Sequence, residues 1–278
     1  TVLHDRAVHA RRVLDKYYEA TTTALREVDP NMPIFHNSGH IQRGRRDILK
    51  WFSHLELESL PTGGWGYDHF PMSAKYCHLL GKDFLGMTGK FHTTWGEFGG
   101  FKHPNALRYE CAAMIAFGSK CSIGDQLHPG GELDESTYEQ IGAAYKEVEA
   151  KEAWCDDVVN LADIAILSEE SVNRGGLTGH GAQSHGDTGA TRILLESHAL
   201  FEIIDSEMDF SKYKLLILPD SIALEGALLE KVRKFHSAGG KLFLSGQSGL
   251  DVDGKPLFDL GAELQGRSPF SPDFIAAA

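Results

Sequence analysis

The segments HLELESLP at positions 54–61 and FLGMTGKFH at positions 84–92 decide the fold that this sequence predicts. They contain the apolar runs 55–60 and 84–89, which are predicted strands that lead directly into polar side chains, and similar runs lie at 32–35 and 120–124. Helical periodicity is found at 8–28, 44–53, 73–80, 105–117 and 138–154. Because strands and helices alternate along the chain, we expect parallel βαβ units.

Polar and aromatic residues stand at the exits of all four predicted strands. They are His36, Asn37, Glu56, Glu58, Trp65, Tyr67, Asp68, His69, His92, Trp95, Glu97, Asp125, Gln126 and His128. A (β/α)₈ barrel builds its active site from the C-terminal ends of several strands, whereas a doubly wound sheet concentrates such residues at one switch point. Residues 1–158 are therefore predicted to form the C-terminal half of a (β/α)₈ TIM barrel.

Residues 159–278 are predicted to form a second, smaller domain. Its expected strands lie at 163–167, 201–205, 214–218 and 241–245, and its expected helices lie at 188–200 and 225–238. This order is typical of a flavodoxin-like parallel α/β sheet. The Gly-, His- and Ser-rich stretch 168–188 lacks periodicity, so we predict a long loop there that faces a ligand.

Composition excludes several classes of function. The net charge of −12, from 39 acidic and 27 basic residues, argues against a nucleic-acid partner. The apolar stretches are far shorter than the ~20 residues that cross a bilayer, so no membrane partner is expected. The four cysteines form no C-x-x-C pair and are expected to be reduced structural thiols. The chain opens at Thr1 without a signal segment, and the compartment, cytoplasm or periplasm in a bacterium, stays open.

The acidic residues at the strand exits suggest glycoside hydrolysis, which needs two carboxyl groups around an oxocarbenium-like centre. Glu58 and Glu97 are the candidate catalytic groups. Glu97 is flanked by Trp95 and Phe98, and we expect desolvation by these rings to raise the pKa of its carboxyl group. Glu56 lies two residues before Glu58 on one strand, so both side chains should point the same way.

Each candidate also has a structural interpretation. Glu56 can be the buried partner of an Arg or Lys, and Asp125 can bind sugar hydroxyls or close the barrel. Trp65, Tyr67 and Trp95 can stack on a sugar ring or pack in loops, while Glu110 lies on a predicted helix and is expected to be structural. The histidines His36, His69, His92 and His128 raise the alternative of a metal-dependent hydrolase. No H-x-H or H-E-x-x-H spacing occurs, so neither a metal nor a cofactor is predicted.

Four longer motifs carry a resemblance to a known family. They are HLELESLP at 54–61, WGYDHFP at 65–71, MTGKFH at 87–92 and CSIGDQLHP at 121–129. These segments resemble a group of glycoside hydrolases related to α-L-fucosidases. Residues 201–205, 216–220 and 238–241 resemble the β-galactosidase trimerisation domain that commonly follows the barrel in that group, a glutamine-amidotransferase-like fold without its nucleophile.

The resemblance implies an α-L-fucosidase-like, retaining glycosidase that acts on oligosaccharides or glycoconjugates and assembles as a homo-oligomer, with a trimer as the form suggested by the second domain. It also implies that this chain is a fragment without the N-terminal half of the barrel. One catalytic carboxylate would follow barrel strand four, upstream of Thr1, so the fragment alone should be inactive. A nucleophile on strand seven, as in β-galactosidases, would be Glu97, whereas an α-fucosidase-like acid/base on a later loop would be Glu58 or Glu97. In the motif around Glu97 many relatives carry Asp, which is a departure at this position. A β-galactosidase-type enzyme and a non-catalytic carbohydrate-binding or assembly protein are the alternatives.

Overall fold

The computed structural model describes residues 2–37, 39–173, 184–261, 263–266 and 268–270. Its α-helices are α1 (Val2–Val28), α2 (His69–Cys77), α3 (Pro104–Ala116), α4 (Glu135–Glu149), α5 (Glu169–Asn173), α6 (His185–Glu196) and α7 (Gly226–Ser237). Its strands are β1 (Leu55–Glu58), β2 (Phe84–Gly89), β3 (Lys120–Gly124), β4 (Ile164–Leu167), β5 (Phe201–Ile204), β6 (Leu215–Leu218) and β7 (Lys241–Leu244). Short 3₁₀ turns lie at Arg46–Trp51, Pro61–Gly63, His78–Leu80 and Glu152–Trp154.

The first sheet has the order β1-β2-β3, and both of its strand pairs are parallel. The predicted βαβ units are therefore confirmed for these three strands. Glu58 pairs in register with Met87, and Gly89 pairs with Gly124, so the three C-terminal ends meet at one edge. Gly86 is needed in the middle of β2, because a Cβ there would lie 2.6 Å from both Met114 Cγ and a Phe70 ring carbon. Because glycine has no Cβ, α2 and α3 can pack closely on the sheet.

Two predicted elements of the first half differ in the structure. Residues 32–35 were expected as a strand, yet they run as irregular chain, held by Ile34 N donating to Ser53 Oγ at 2.7 Å and Ser53 N donating to Ile34 O at 2.8 Å. An apolar run becomes a strand only where another strand supplies a hydrogen-bond ladder, and the described residues provide none there. The helix expected at 44–53 is a 3₁₀ turn, Arg46–Trp51.

The second sheet has the order β5-β4-β6-β7, with every neighbouring pair parallel. All four strands lie within the predicted ranges. The expected loop at 168–188 is only partly correct: α5 begins at Glu169 and α6 begins at His185, while 174–183 lie outside the described residues. The start of α6 is capped by Ser184, whose side chain accepts a hydrogen bond from Asp187 N.

Helix α2 joins the two sheets into one hydrophobic core. Tyr76, on α2, is 1% exposed and donates from its hydroxyl to Asp205 Oδ2 at 2.9 Å, just after β5. Lys75, also on α2, places its ammonium 5.3 Å from the ring centre of Phe201 in β5. The same core cluster contains residues of both sheets, such as Leu57 and Ile166. The boundary at 158/159 stays a prediction. Within the described residues, no helix has the length and apolar character to cross a bilayer.

Candidate active site

Glu58 and Trp95 meet at the C-terminal edge of the first sheet. Glu58 is the last residue of β1, and Trp95, from the loop after β2, donates its indole N–H to Glu58 Oε1. The indole also lies across Gly124 at the end of β3, where a Cβ would overlap the ring. The ring of Phe91, which is 1% exposed, supports it edge-on at 5.1 Å. Trp95 thus spans the edge from β3 to β1 and keeps 41% of its own surface exposed.

Glu56 lies below Glu58 on the same face of β1. The neighbours of these two residues, Leu55 and Leu57, are fully buried on the opposite face, as the alternation predicted. Burial, and then the negative charge of Glu58, raise the pKa of the Glu56 carboxyl group. The Glu56 carboxyl group therefore holds a proton more readily than an ordinary glutamate does, and Glu58 stands nearer the open edge.

Glu97 has a different environment from the one predicted. Its Oε2 accepts hydrogen bonds from Thr93 N at 2.6 Å and from Thr93 Oγ1 at 2.9 Å, and His92 Nδ1 lies 3.9 Å from Oε1. These two hydrogen bonds, led by the Thr93 N–H, lower the pKa of Glu97. The expected rise by desolvation is wrong, because Trp95 turns toward Glu58 and leaves Glu97 open to solvent. Glu97 is suited to the role of an ionised carboxylate and not to that of an acid.

Lys90 and Asp125 lie at the same edge, after β2 and β3. Lys90 is 4% exposed and donates from Nζ to Phe98 O at 2.9 Å, with its ammonium 5.0 Å from the Phe101 ring centre. Asp125 Oδ1 lies 4.0 Å from Lys90 Nζ and accepts from Gln126 N at 2.7 Å. These contacts tie the loops after β2 and β3 together.

His69 lies beside the exit of β1. Its Nδ1 is 3.2 Å from Ser59 Oγ, and the Trp65 ring stands edge-on to it at 4.9 Å. Burial, followed by the positive charges of His40 and Arg43, lowers the pKa of His69 to about 4. The imidazole is therefore neutral at physiological pH and can donate one hydrogen bond and accept another.

Three of the predicted site residues have structural partners away from the strand ends. His36 is buried against α1 and Phe52, with Nε2 3.1 Å from Thr22 Oγ1. Asp68 accepts from Arg192 of α6 at 2.7 Å. Tyr67 faces α3 and donates to Glu110 at 3.2 Å, and burial, followed by the negative charge of Glu110, raises the pKa of its hydroxyl to about 12.

Glu110 is structural, as predicted, and its partner is a lysine. Lys102, which is 1% exposed, donates from Nζ to Glu110 Oε2 at 2.6 Å and to Thr88 Oγ1 at 2.8 Å. Thr88 in turn donates to Glu110 Oε2 at 2.6 Å. This closed network lies between β2 and α3, on the face of the sheet opposite the one that carries Glu58.

The remaining predicted residues are exposed. They are Asn37, His92, Gln126 and His128. The His128 ring lies tilted against the Phe98 ring, with 6.0 Å between the ring centres, and its Nδ1 accepts from Gly130 N at 3.3 Å. The four histidines behind the metal alternative thus have separate surroundings, and across the described residues no cluster of three or more His, Cys, Asp or Glu could hold a metal ion.

Sequence reasoning missed Gly39, Gly124 and Thr93. Gly124 makes room for Trp95, and Gly39 has φ +63° and lies beside Glu58, where a Cβ would come within 3.2 Å of Glu58 Cβ. A glycine at the end of a predicted strand, where another group can approach the backbone closely, is the available signal for Gly124. Thr93 could not be found, because its two hydrogen bonds to Glu97 depend on how the loop folds back.

Comparisons with two solved structures of low sequence identity show the fold of this chain. The chain matches a catalytic mutant of a GH42 β-galactosidase from G. stearothermophilus with TM-score 0.63 and 18% identity, over 87% of this chain and 41% of that one. It matches the β-galactosidase from the haloarchaeon Halorubrum lacusprofundi with TM-score 0.60 and 14% identity, over 87% and 42%. At these identities the likeness concerns the fold alone. The chain has a partial TIM-barrel-like α/β fold of the kind found in these glycosidases.

A further solved structure is similar in sequence as well. It is the α-L-fucosidase isoenzyme 2 from Paenibacillus thiaminolyticus, with TM-score 0.83 and 56% identity over 89% of this chain. The resemblance to glycoside hydrolases related to α-L-fucosidases is therefore confirmed. This chain spans 37% of the length of that fucosidase. No protein-family model matches the chain, and no curated protein matches it.

Proposed function

We propose that the protein containing this chain is a glycoside hydrolase that cleaves O-glycosyl bonds with retention, as an α-L-fucosidase-like enzyme acting on oligosaccharides or glycoconjugates. The observation that carries the proposal is the pair formed by Glu58 and Trp95 at the shared strand edge, in a chain 56% identical to an α-L-fucosidase. Glycoside hydrolysis requires carboxyl groups, which a barrel places at its strand ends, and an exposed aromatic ring offers a surface for a sugar.

Glu58 and Glu97 supply the catalytic carboxyl chemistry of this chain. Glu97 is held ionised by Thr93, which suits a nucleophile or a group that stabilises an oxocarbenium-like centre. Glu58 receives the Trp95 indole N–H and lies above Glu56, whose pKa is raised by burial and then by the negative charge of Glu58.

The aromatic residues at the edge offer surfaces for a sugar ring. Trp95 is 41% exposed and Trp65 is 37% exposed, so each has an open surface for the apolar face of a pyranose. The flanking polar side chains, His69 and Asp125 among them, would bind hydroxyl groups. Substrate contacts at Asn37, His92, Gln126 and His128 belong to the same proposal.

The second sheet, β4 to β7, is proposed to be a flavodoxin-like domain of the amidotransferase type that serves assembly. Its strand order and the absence of a G-x-S-x-G pattern around Ser245 are consistent with a domain without a nucleophile. The proposed assembly is a homo-oligomer, a trimer by the same analogy. Light scattering coupled to size-exclusion chromatography on the full-length protein measures the subunit number, and a monomer would contradict this part.

The experiment compares the full-length protein with its Glu58→Gln and Glu97→Gln variants. Initial rates are measured on aryl α-L-fucosides and aryl β-D-galactosides, with Glu147→Gln as the matched control, because Glu147 is an exposed partner of Arg108 on the helical side. We expect fucoside hydrolysis by the wild type and the control, and a loss of kcat by about a hundredfold or more in at least one of the two variants.

Each other outcome has a definite meaning. Full activity in both variants would remove Glu58 and Glu97 from the chemistry. Hydrolysis of galactosides alone would replace the fucosidase by the β-galactosidase alternative. No hydrolysis of either substrate, combined with binding of the sugars by calorimetry, would replace the enzyme by a carbohydrate-binding protein.

A further inference from the structure

Glu170 lies on α5, the helix that follows β4 of the second sheet. Its carboxylate pairs with His40 and Arg43, in a segment that lies beside Glu58. Oε1 is 3.0 Å from His40 Nε2, and Oε2 is 2.9 Å from Arg43 Nη2. The side chains of Glu170 and Arg43 are 2% and 3% exposed. Two charge-assisted contacts in a buried setting make Glu170 a firm anchor for residues 39–44, which we call the anchor segment.

The anchor segment touches the site at one end. Gly39 has φ +63°, and a Cβ there would lie 3.2 Å from Glu58 Cβ and 3.4 Å from Glu58 Oε2. The anchor segment therefore runs beside the glutamate side chain, where a Cβ at position 39 would be crowded. The Trp95 indole N–H binds the other oxygen, so Glu58 lies between the anchor segment and the indole.

The other end of the anchor segment is held by the second sheet. Gly44, with φ +85°, lies so close to Ser171 of α5 that a Cβ would come within 3.2 Å of its Cα, and Gly44 N donates to Tyr76 Oη at 2.9 Å. Arg43 Nε donates to Ser168 Oγ at 2.9 Å, and its Nη2 is 3.5 Å from Asp187 Oδ2. The segment is thus a short bridge from the second sheet to the edge of β1.

We infer that Glu170 is a positioning residue for Glu58. Through His40 and Arg43 it fixes the anchor segment, and the segment fixes the Glu58 carboxylate against Trp95. The inference deepens the proposed function and rests on it, because it assigns part of the second sheet to the geometry of the carbohydrate site. The charged contacts of Glu170 between the two sheets then have a role in the site as well as in packing.

The test uses the full-length protein with Glu170→Gln, which keeps the size of the side chain and removes its charge. The matched control is Glu207→Gln, since Glu207 also pairs across the two sheets, 3.9 Å from Arg46, but has no contact with the anchor segment. His40→Ala is the second variant, because it breaks the link at a 28% exposed side chain without leaving a buried charge alone.

Two readouts are taken on each variant. The first is fucoside hydrolysis, for which we expect kcat to fall about tenfold or more in Glu170→Gln with KM within threefold, since a small misplacement of a catalytic group is costly. The second is the ¹⁹F resonance of Trp95 in protein labelled with 5-fluorotryptophan, assigned by Trp95→Phe. We expect it to move in Glu170→Gln and in His40→Ala, and to stay in place in Glu207→Gln.

An unchanged kcat with an unmoved Trp95 resonance would overturn the inference. A lower melting temperature with an unmoved resonance would also overturn it, because Glu170 would then only stabilise the fold. If Glu170→Gln does not fold, the His40→Ala result decides in the same way. A wild type without glycosidase activity refutes the proposed function, while the Trp95 resonance still decides whether Glu170 positions Glu58.

Discussion

Because His69 is buried and neutral in the folded protein, we predict that the free energy of unfolding falls at acidic pH. The structure lowers the pKa of this imidazole from 6.5 to about 4, by burial first and then by the charges of His40 and Arg43, against a smaller opposing effect of Asp68. Between these two values the unfolded chain binds a proton that the folded chain does not bind. The free energy of unfolding must therefore fall as the pH drops from 6.5 toward 4.

The magnitude follows from the size of the shift. At about 1.36 kcal/mol per pH unit, the full loss from this group is about 3 kcal/mol, and about 2 kcal/mol of it is reached by pH 5. The assay is urea denaturation at pH 7.5 and pH 5.0 for the wild type and for His69→Phe, which keeps a ring against Trp65. The variant should lose about 2 kcal/mol less between the two pH values than the wild type loses.

The control is His92→Phe, because His92 is 66% exposed and the same substitution there removes an imidazole without burial. This variant should reproduce the wild-type difference between pH 7.5 and pH 5.0. NMR titration of the His69 ring protons gives the protonation midpoint directly, and we expect it below 5. A midpoint near 6.5, or an equal pH dependence in the wild type and His69→Phe, would refute the reasoning.

Three further predictions concern packing and burial. Lys102→Met should lower the free energy of unfolding by about 3–5 kcal/mol, since it leaves the buried Glu110 carboxylate without its cation; a urea midpoint equal to that of the wild type would contradict this. Gly124→Ala should displace the Trp95 indole and cost about 1–3 kcal/mol, which tryptophan fluorescence and thermal unfolding both measure. Cys77 is 1% exposed and burial raises the pKa of its thiol, so iodoacetamide should label it only after denaturation, as mass spectrometry of the peptide would show.

Local pattern was sufficient for the strands that pair within this chain. The range predicted for β2 agrees with the observed strand at both ends, because an apolar run bounded by Gly89 is confined by its own turn residue. The prediction of a strand at 32–35 was wrong, because a strand also needs a neighbouring strand, which lies elsewhere in the chain. The start of α6 could have been found, because Ser184 and Asp187 have the spacing of a helix cap.

The candidate site was predictable as a set of residue types at strand exits, but not as a set of contacts. The alternation on β1 correctly put Glu56 and Glu58 on one face. The pKa of Glu97 was predicted in the wrong direction, because flanking aromatic residues in sequence do not desolvate a carboxylate whose neighbour Trp95 turns away. Asp68 and Tyr67 are predicted as ligand contacts, and the structure adds the partners Arg192 and Glu110, which are distant in sequence.

The sequence by itself determined the parallel α/β class, the two sheets and the edge at which Glu58 lies, because strand alternation and apolar periodicity are local properties of the chain. Only the tertiary structure decided that Trp95 binds Glu58 and that Glu170 of the second sheet holds the segment beside it. Glu170 and His40 are separated by 130 positions. Contacts over such separations depend on how helices and sheets pack, and no local pattern in the sequence encodes them.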